Sequence, residues 1–209
     1  MPLKLPQTLF DDLLLLAQFT VALSVLVVTL SIVVNFVRAK HHGISQEKRS
    51  IVATGTMSGF FLLYYSLIRF QVADIAVSDS CLWLYSIALI IGLAMVVVGA
   101  AVNVWGRLHL GKNWANQIRI FDNQTLVVTG AYKYVRHPLY ASLIWMFIGG
   151  SLIYTNPAAL LLTLFVFVPF MYYRAKQEES LLKERFPEYA DYARKTWMFL
   201  PTNPKNKGG

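Results

Sequence analysis

Residues 82–104 read LWLYSIALIIGLAMVVVGAAVNV, 23 residues without one charged side chain. About 20 apolar helical residues cross the hydrocarbon core of a bilayer, so this stretch decides the fold class. Four more apolar runs lie around it, at 13–37, 51–68, 139–154 and 158–173. The last two hold 16 residues each and are parted by Asn156-Pro157, a turn signal. They read as a tight helical hairpin that draws on flanking residues, with a re-entrant pair as the alternative. Lipid offers no partner to an open backbone group, so all five runs are expected as helices.

The composition agrees. Apolar residues are 56% of the 209, charged residues 14%, and mean hydropathy is +0.49. A soluble domain carries about 25% charged residues, and a disordered chain needs low hydrophobicity, so both classes are excluded. Cys81 stands alone, which excludes a disulfide framework, a cysteine-based zinc site and a CxxC redox pair. The run at 13–37 is too long for a cleavable signal peptide, and Asp11-Asp12 stand where such a signal carries basic residues.

The net charge of +8 raises the question of nucleic acid. Its distribution answers it. Of the nineteen Lys and Arg residues, seventeen fall in the first loop, the third loop and the C-terminal tail, and two in the segments between. Five spans with a cytoplasmic C-terminus produce that alternation under the positive-inside rule. The surplus orients the chain and meets anionic headgroups, and nothing suggests a nucleic-acid partner. Gly55 and Gly59 form a GxxxG in the second run, and Gly92 and Gly99 recur in the third; such spacing favours close helix contact in lipid. Gly149-Gly150 in the fourth run invite the same contact. Pro169 removes a hydrogen bond inside the fifth run and is expected to kink it. Residues 203–209 read as a disordered tail.

Polar chemistry concentrates in two segments, 105–138 and 174–201. In the first, Arg136-His137-Pro138 opens the fourth run. Pro138 suits the first helical position, which places Arg136 and His137 at a helix N-terminus where free N–H groups attract anions. Gly130 sits in a turn before Tyr132, Tyr134 and Tyr140, which serve equally as interfacial anchors or as ligand contacts. In the second, Glu178-Glu179 read either as solvated charges paired with Lys183 or as an inward-facing carboxylate. His41-His42, His109 and His137 have no metal-ligand spacing. Neither a P-loop nor a Gly-rich dinucleotide motif occurs, nor a Gly-x-Ser-x-Gly turn. Asn123-Gln124-Thr125 matches a glycosylation acceptor but falls on the expected inner side.

GAYKYVRHPLY at 130–140, an apolar hairpin, EESLL at 178–182 and FPEYADYARKTWMFLP at 186–201 together resemble the isoprenylcysteine carboxyl methyltransferase family. The wider group includes phospholipid N-methyltransferases. The resemblance covers residues 105–201 and implies an S-adenosylmethionine-dependent enzyme. Its cofactor pocket would face the cytosol. By motif match it implies cofactor contacts at Gln117, Gln124, Leu126, Val127, Tyr132, His137, Pro138, Tyr140 and Glu179, with Arg174 on the substrate side. This chain departs from the family pattern at Ala131, at Ala141-Ser142 and at Pro187-Glu188-Tyr189. No catalytic base is singled out, because aligning a reactive methyl donor accounts for most of such catalysis.

The expectation is an all-α, multi-pass membrane protein of about five transmembrane helices. It would have a cytosolic C-terminal helix and a loop-built cofactor pocket, in a bacterial inner membrane or endoplasmic reticulum. Residues 1–104 would form the N-terminal helices and 105–209 the methyltransferase region. The expected acceptor is lipophilic or lipid-linked, such as a prenylcysteine carboxylate. Phospholipid N-methylation and small-thiol S-methylation are the alternatives, with a small membrane carrier as the non-enzyme reading.

Overall fold

The computed structural model describes residues 7–39, 44–48, 51–76, 81–111, 118–121 and 125–201. Gln117, Gln124, Asn123, His41-His42 and the tail 203–209 lie outside the described residues. The chain is dominated by helices: α1 (Gln7–Ala39), α2 (Ile51–Arg69), α3 (Leu82–Leu110), α4 (Pro138–Ile153), α5 (Pro157–Leu162), α6 (Val168–Arg185) and α7 (Tyr189–Lys195). The all-α expectation needs one addition. Strands β1 (Ile44–Lys48) and β2 (Ile118–Phe121) pair antiparallel, with Lys48 opposite Ile118. The pairing gives the backbone of two loops the partners that no helix supplies there.

Among the described residues, three helical stretches are long and apolar enough to cross a membrane: Thr8–Asn35, Leu82–Leu110 and Pro157–Arg185. The chain is thus a multi-pass membrane protein. Helix α4 is a shorter apolar helix of 16 residues. The fifth run is longer than its apolar core suggests, because α5, a π-turn at Thr163–Phe167 and α6 follow one another without a break. The π-turn is how the expected distortion at Pro169 appears. Pro169 has no N–H, and its ring crowds the carbonyl four residues earlier. The preceding turn widens so that the Val168 N–H reaches Thr163 O.

Helix α3 is the axis of the bundle. A core of Phe10, Ala17, Leu82, Leu89, Val96 and Ile153 joins it to α1 and α4. Its glycine face lets α4 approach closely. A Cβ on Gly92 would lie 2.6 Å from Gly149 O, and a Cβ on Gly149 would lie 2.5 Å from Gly92 O. Gly99 meets Ser142 O in the same way, at 2.9 Å. Gly59 of α2 behaves differently: among the described residues nothing lies within 4 Å of a Cβ built on it. Helix α2 packs through its aromatic side chains instead. The Phe60 ring stacks on Phe167 at 4.3 Å and meets Phe147 edge-on at 4.9 Å. The Tyr64 hydroxyl donates to Phe147 O at 2.8 Å.

The end of the bundle opposite the polar segments is tied by Asn156. Its side chain caps α5 by accepting from Ala159 N at 2.7 Å, with Pro157 at the first helical position. Its amide donates to Leu67 O at 3.2 Å and Val72 O at 3.0 Å, and also to Asp74. The hairpin turn read from Asn156-Pro157 therefore also fastens the segment after α2.

The two kinds of glycine make opposite predictions. Gly92→Ala and Gly149→Ala each force α3 and α4 apart and destabilise by about 1–3 kcal/mol. Gly59→Ala meets open space and gains about 1 kcal/mol of helix propensity. Thermal unfolding in detergent should show the first two variants below wild type and the third at or above it.

Candidate active site

The segment between β2 and α4 carries the site. Gly130 has φ +61, a left-handed conformation natural to glycine. The His109 ring occupies the space a side chain there would need. The turn Gly130–Lys133 that follows buries Tyr132. The Tyr132 carbonyl accepts from the Tyr192 hydroxyl at 2.7 Å, so α7 is tied over the turn. Val135 pairs with Trp197 in a parallel bridge. Arg136 N donates to Trp197 O at 2.9 Å, and His137 N to Met198 O at 3.1 Å. The C-terminal segment is thereby laid along the loop as a short strand would be.

The Arg136 side chain completes the tie. Its Nε donates to Glu179 Oε1 at 2.8 Å, and its Nη1 donates to Ala193 O at 3.0 Å and to Thr196 O. His137 sits at the N-cap position of α4 and is buried. Its Nε2 lies 3.3 Å from Glu179 Oε1 and its Nδ1 lies 3.5 Å from Glu178 Oε2. The ring stacks on Tyr140 at 5.5 Å with a 4° interplanar angle. Tyr140 donates its hydroxyl to Glu178 Oε2 at 3.1 Å. The Arg174 guanidinium sits 6.0 Å from the Tyr140 ring centroid, and its Nη1 lies 3.1 Å from Met57 Sδ. Its buried Nε has no hydrogen-bond partner among the described residues.

Glu178 and Glu179 are neighbours in sequence but about 100° apart around the helix. The Glu179 side chain is 4% exposed and that of Glu178 39%. Burial raises the pKa of Glu179, but His137 and Arg136 outweigh it and hold it down to about 2. Glu178 is likewise lowered: burial opposes, and His137, Tyr140 and Arg174 prevail. For His137, burial disfavours the cation, yet Glu178 and Glu179 raise its pKa above the ordinary value. Burial pushes the Tyr132, Tyr189 and Tyr192 phenols up.

These groups surround one end of a cavity of about 1050 Å³. Leu126, Val127, Tyr132, Arg136, His137, Tyr140, Arg174 and Glu178 line that end, with Tyr189 and Tyr192 of α7. The other end runs between α1, α2 and α4 past Val21, Val25, Val28, Phe61, Leu62, Met146 and Phe147. Val25, Phe61 and Leu62 of this apolar arm are exposed.

Of the expected site residues that are described, Leu126, Val127, Tyr132, His137, Tyr140 and Arg174 meet at this cavity. Pro138 and Glu179 lie just behind its wall. Pro138 is buried at the start of α4, where a Cβ on Gly106 would meet its ring at 3.4 Å. Glu179 is taken up by Arg136 and His137. The carboxylate that faces the cavity is Glu178. It stands four residues after Arg174, one helical turn away, and that spacing is the signal that would have found it. Arg107 is a second residue absent from the expected set. It lines the cavity, and its Nε donates to Asn103 Oδ1 at 2.8 Å while Asn103 Nδ2 donates to Ser142 Oγ at 2.8 Å. An Asn and an Arg at i, i+4 in so apolar a helix were its clue.

Linkage fixes how this network responds to pH. The lowered Glu179 pKa gives stability that is present above its ordinary value near 4.5 and lost as pH falls toward about 2. The raised His137 pKa gives stability that is full below 6.5 and lost as pH rises through its raised value. Glu179→Ala leaves Arg136 with carbonyl partners alone and His137 with Glu178 alone, a loss of about 3–5 kcal/mol. Denaturation followed against pH should show this variant destabilised near neutrality, with the gap narrowing in acid.

Residues 90–184 match the isoprenylcysteine carboxyl methyltransferase (ICMT) family. The chain is 25% identical over 173 residues to the protein-S-isoprenylcysteine O-methyltransferase of Saccharomyces cerevisiae, covering 79% of this chain and 72% of that protein. It is 30% identical over 114 residues to a probable protein-S-isoprenylcysteine O-methyltransferase of Oryza sativa subsp. indica, covering 53% of this chain and 60% of that one. A solved structure of the eukaryotic intramembrane Ras methyltransferase ICMT has the same fold. Its TM-score is 0.54 at 22% identity, over 75% of this chain and 55% of that one. The chain therefore spans from about half to about three-quarters of the length of these relatives.

Proposed function

We propose, from the match of residues 90–184 to the isoprenylcysteine carboxyl methyltransferase family, that the chain is an S-adenosylmethionine-dependent membrane methyltransferase. Its acceptor is a lipophilic, prenylcysteine-like molecule drawn from the bilayer. The observation that carries this reading is a cavity whose one end is lined by charged and aromatic groups and whose other end is apolar. One ligand there needs a polar chamber, and the other needs a path for an apolar tail.

The donor set fits S-adenosylmethionine. Leu126 and Val127 offer a wall for an adenine-sized ring, and Glu178 offers a carboxylate to hydroxyls or an ammonium group. The Tyr132 and Tyr140 rings can face a sulfonium, an interaction of about 0.5–2 kcal/mol. When bound, the cofactor supplies an electrophilic methyl group. The chain's own residues align and desolvate. Tyr140, stacked on His137 and bonded to Glu178, keeps that carboxylate turned into the cavity. Arg174 sits where the polar chamber meets the apolar arm, within reach of an acceptor headgroup. Glu179 acts one bond behind the wall, through Arg136 and His137. Gln117 and Gln124 are proposed as further cofactor contacts from the motif match.

The same reading places five helices across the membrane, α1 to α4 and the α5–α6 unit. The loop 125–137, α7 and the C-terminus lie on the cytoplasmic side, as the basic residues are distributed. The methyltransferase region begins near residue 105, and α1 and α2 supply the lipid-side wall.

Calorimetric titration of the purified protein with S-adenosylhomocysteine should show saturable binding. Glu178→Gln should weaken it at least about tenfold through loss of a charge-assisted hydrogen bond. Glu179→Ala should abolish it, and wild-type affinity in both variants would contradict the assignment. A reporter fused to the C-terminus should be active only in the cytoplasm; activity on the opposite side would overturn the orientation.

A further inference from the structure

We infer that Tyr189, the first residue of α7, is a ligand contact whose hydroxyl donates a hydrogen bond to a ribose hydroxyl of the methyl donor. The inference rests on the methyltransferase reading of the cavity. It extends the site past residues 90–184, the stretch that matches the family.

Tyr189 is 1% exposed, and its ring meets that of Tyr192 edge-on at 5.8 Å. It borders the polar end of the cavity beside Arg136, Glu178 and Tyr192. Its hydroxyl is buried and has no hydrogen-bond partner among the described residues. Buried polar groups nearly always have one, and an unpaired hydroxyl costs free energy that the rest of the fold must offset. The ring accounts for the packing, and phenylalanine would supply the same ring without that cost. The hydroxyl therefore has no use inside the free chain, and it belongs to a residue that borders the cavity.

The other tyrosine of α7 at the cavity is a contrast. Tyr192 follows by three residues and so shares a face with Tyr189. Its hydroxyl is spent on Tyr132 O at 2.7 Å, which ties α7 over the turn 130–133. Arg136 ties the same helix through Ala193 O and Thr196 O. These bonds fix α7 without help from the Tyr189 hydroxyl. That hydroxyl is closed to water in the free chain, so a ligand meets it as the wall adjusts by a small shift of the phenol.

Charge decides what the hydroxyl can meet. The charged groups close enough to act on it are Glu179, Arg136 and Glu178. Arg136 is engaged with Glu179, which leaves Glu178 as the carboxylate on the cavity side. A ligand carboxylate set between Tyr189 and Glu178 would meet like charge. An ammonium group has no lone pair to accept with. A sugar hydroxyl meets both needs, accepting from Tyr189 and donating to Glu178. An adenine edge also carries a donor and an acceptor, but the proposed function sets that ring against Leu126 and Val127. The sugar is the part of the cofactor left for this corner.

The full chain in lipid nanodiscs tests this with Tyr189→Phe and two ligands, S-adenosylhomocysteine and its analogue without ribose hydroxyls. Without ligand, the variant should unfold thermally at or above the wild-type temperature, because it removes an unpaired polar group. A lower temperature would show the hydroxyl in use within the free chain and would overturn the inference. In calorimetric titration the variant should bind S-adenosylhomocysteine about three- to tenfold more weakly than wild type; equal affinity overturns it. Wild type and variant should bind the analogue alike. A penalty that persists with the analogue places the contact elsewhere on the ligand and overturns the sugar assignment. Tyr192→Phe marks what a structural role looks like: it loses a bond within the chain, unfolds below wild type, and weakens both ligands by the same factor. Failure of wild type to bind S-adenosylhomocysteine would instead remove the methyltransferase reading, and this inference with it.

Discussion

The buried contact between Arg136 and Glu179 holds together four pieces of chain that sequence keeps apart. One carboxylate oxygen receives Arg136 Nε and lies against His137 Nε2, so the loop before α4 is fastened to α6. The remaining reach of the same guanidinium goes to Ala193 O and Thr196 O, which fastens α7 and the segment after it. A buried ion pair is weak evidence for stability as such, because desolvation offsets most of its Coulomb energy. What it does here is fix relative position. Tyr132, Tyr140 and Glu178 can face one chamber only while the loop, α4 and α6 keep this arrangement.

From that constraint follows a division of labour between consecutive acidic residues. Glu179 turns to the loop and is consumed by structure. Glu178 turns to the cavity and stays half exposed. His137 separates them; its own pKa is raised and those of both carboxylates are lowered, at a spacing where mutual repulsion would otherwise raise one of them. The apolar arm of the cavity works on different physics. On the proposed function, an acceptor tail would leave lipid for a lining of Val, Leu, Met and Phe, which is no drier than where it came from. The arm therefore orients the acceptor, and the polar end must supply the selectivity.

Much of this was legible in the chain, where local chemistry left few options. Asn156-Pro157 could hardly be other than a cap and a helix start, and it is both. Gly92, Gly99 and Gly149 lie at the α3–α4 contact because only glycine allows backbones so near. Arg136-His137-Pro138 opens α4 as its residue types dictate. The misreadings came where rotation or tertiary placement decides. Spacing alone cannot tell which of two adjacent glutamates faces inward. Gly55 and Gly59 have the pattern of a contact face, but α2 is positioned by Phe60 and Tyr64, and Gly59 faces open space. The first hundred residues look silent about function because their role is a wall, and a wall of Val, Leu and Phe resembles any other apolar helix.

The central claim is that this cavity methylates a lipophilic carboxylate. The most direct test incubates the purified protein with methyl-labelled S-adenosylmethionine and a membrane lipid extract, then follows the label by mass spectrometry before and after mild base. The account predicts label on a lipid-soluble product that base releases as methanol, the behaviour of a methyl ester. Label that survives base, as an N-methyl or S-methyl group does, would contradict it.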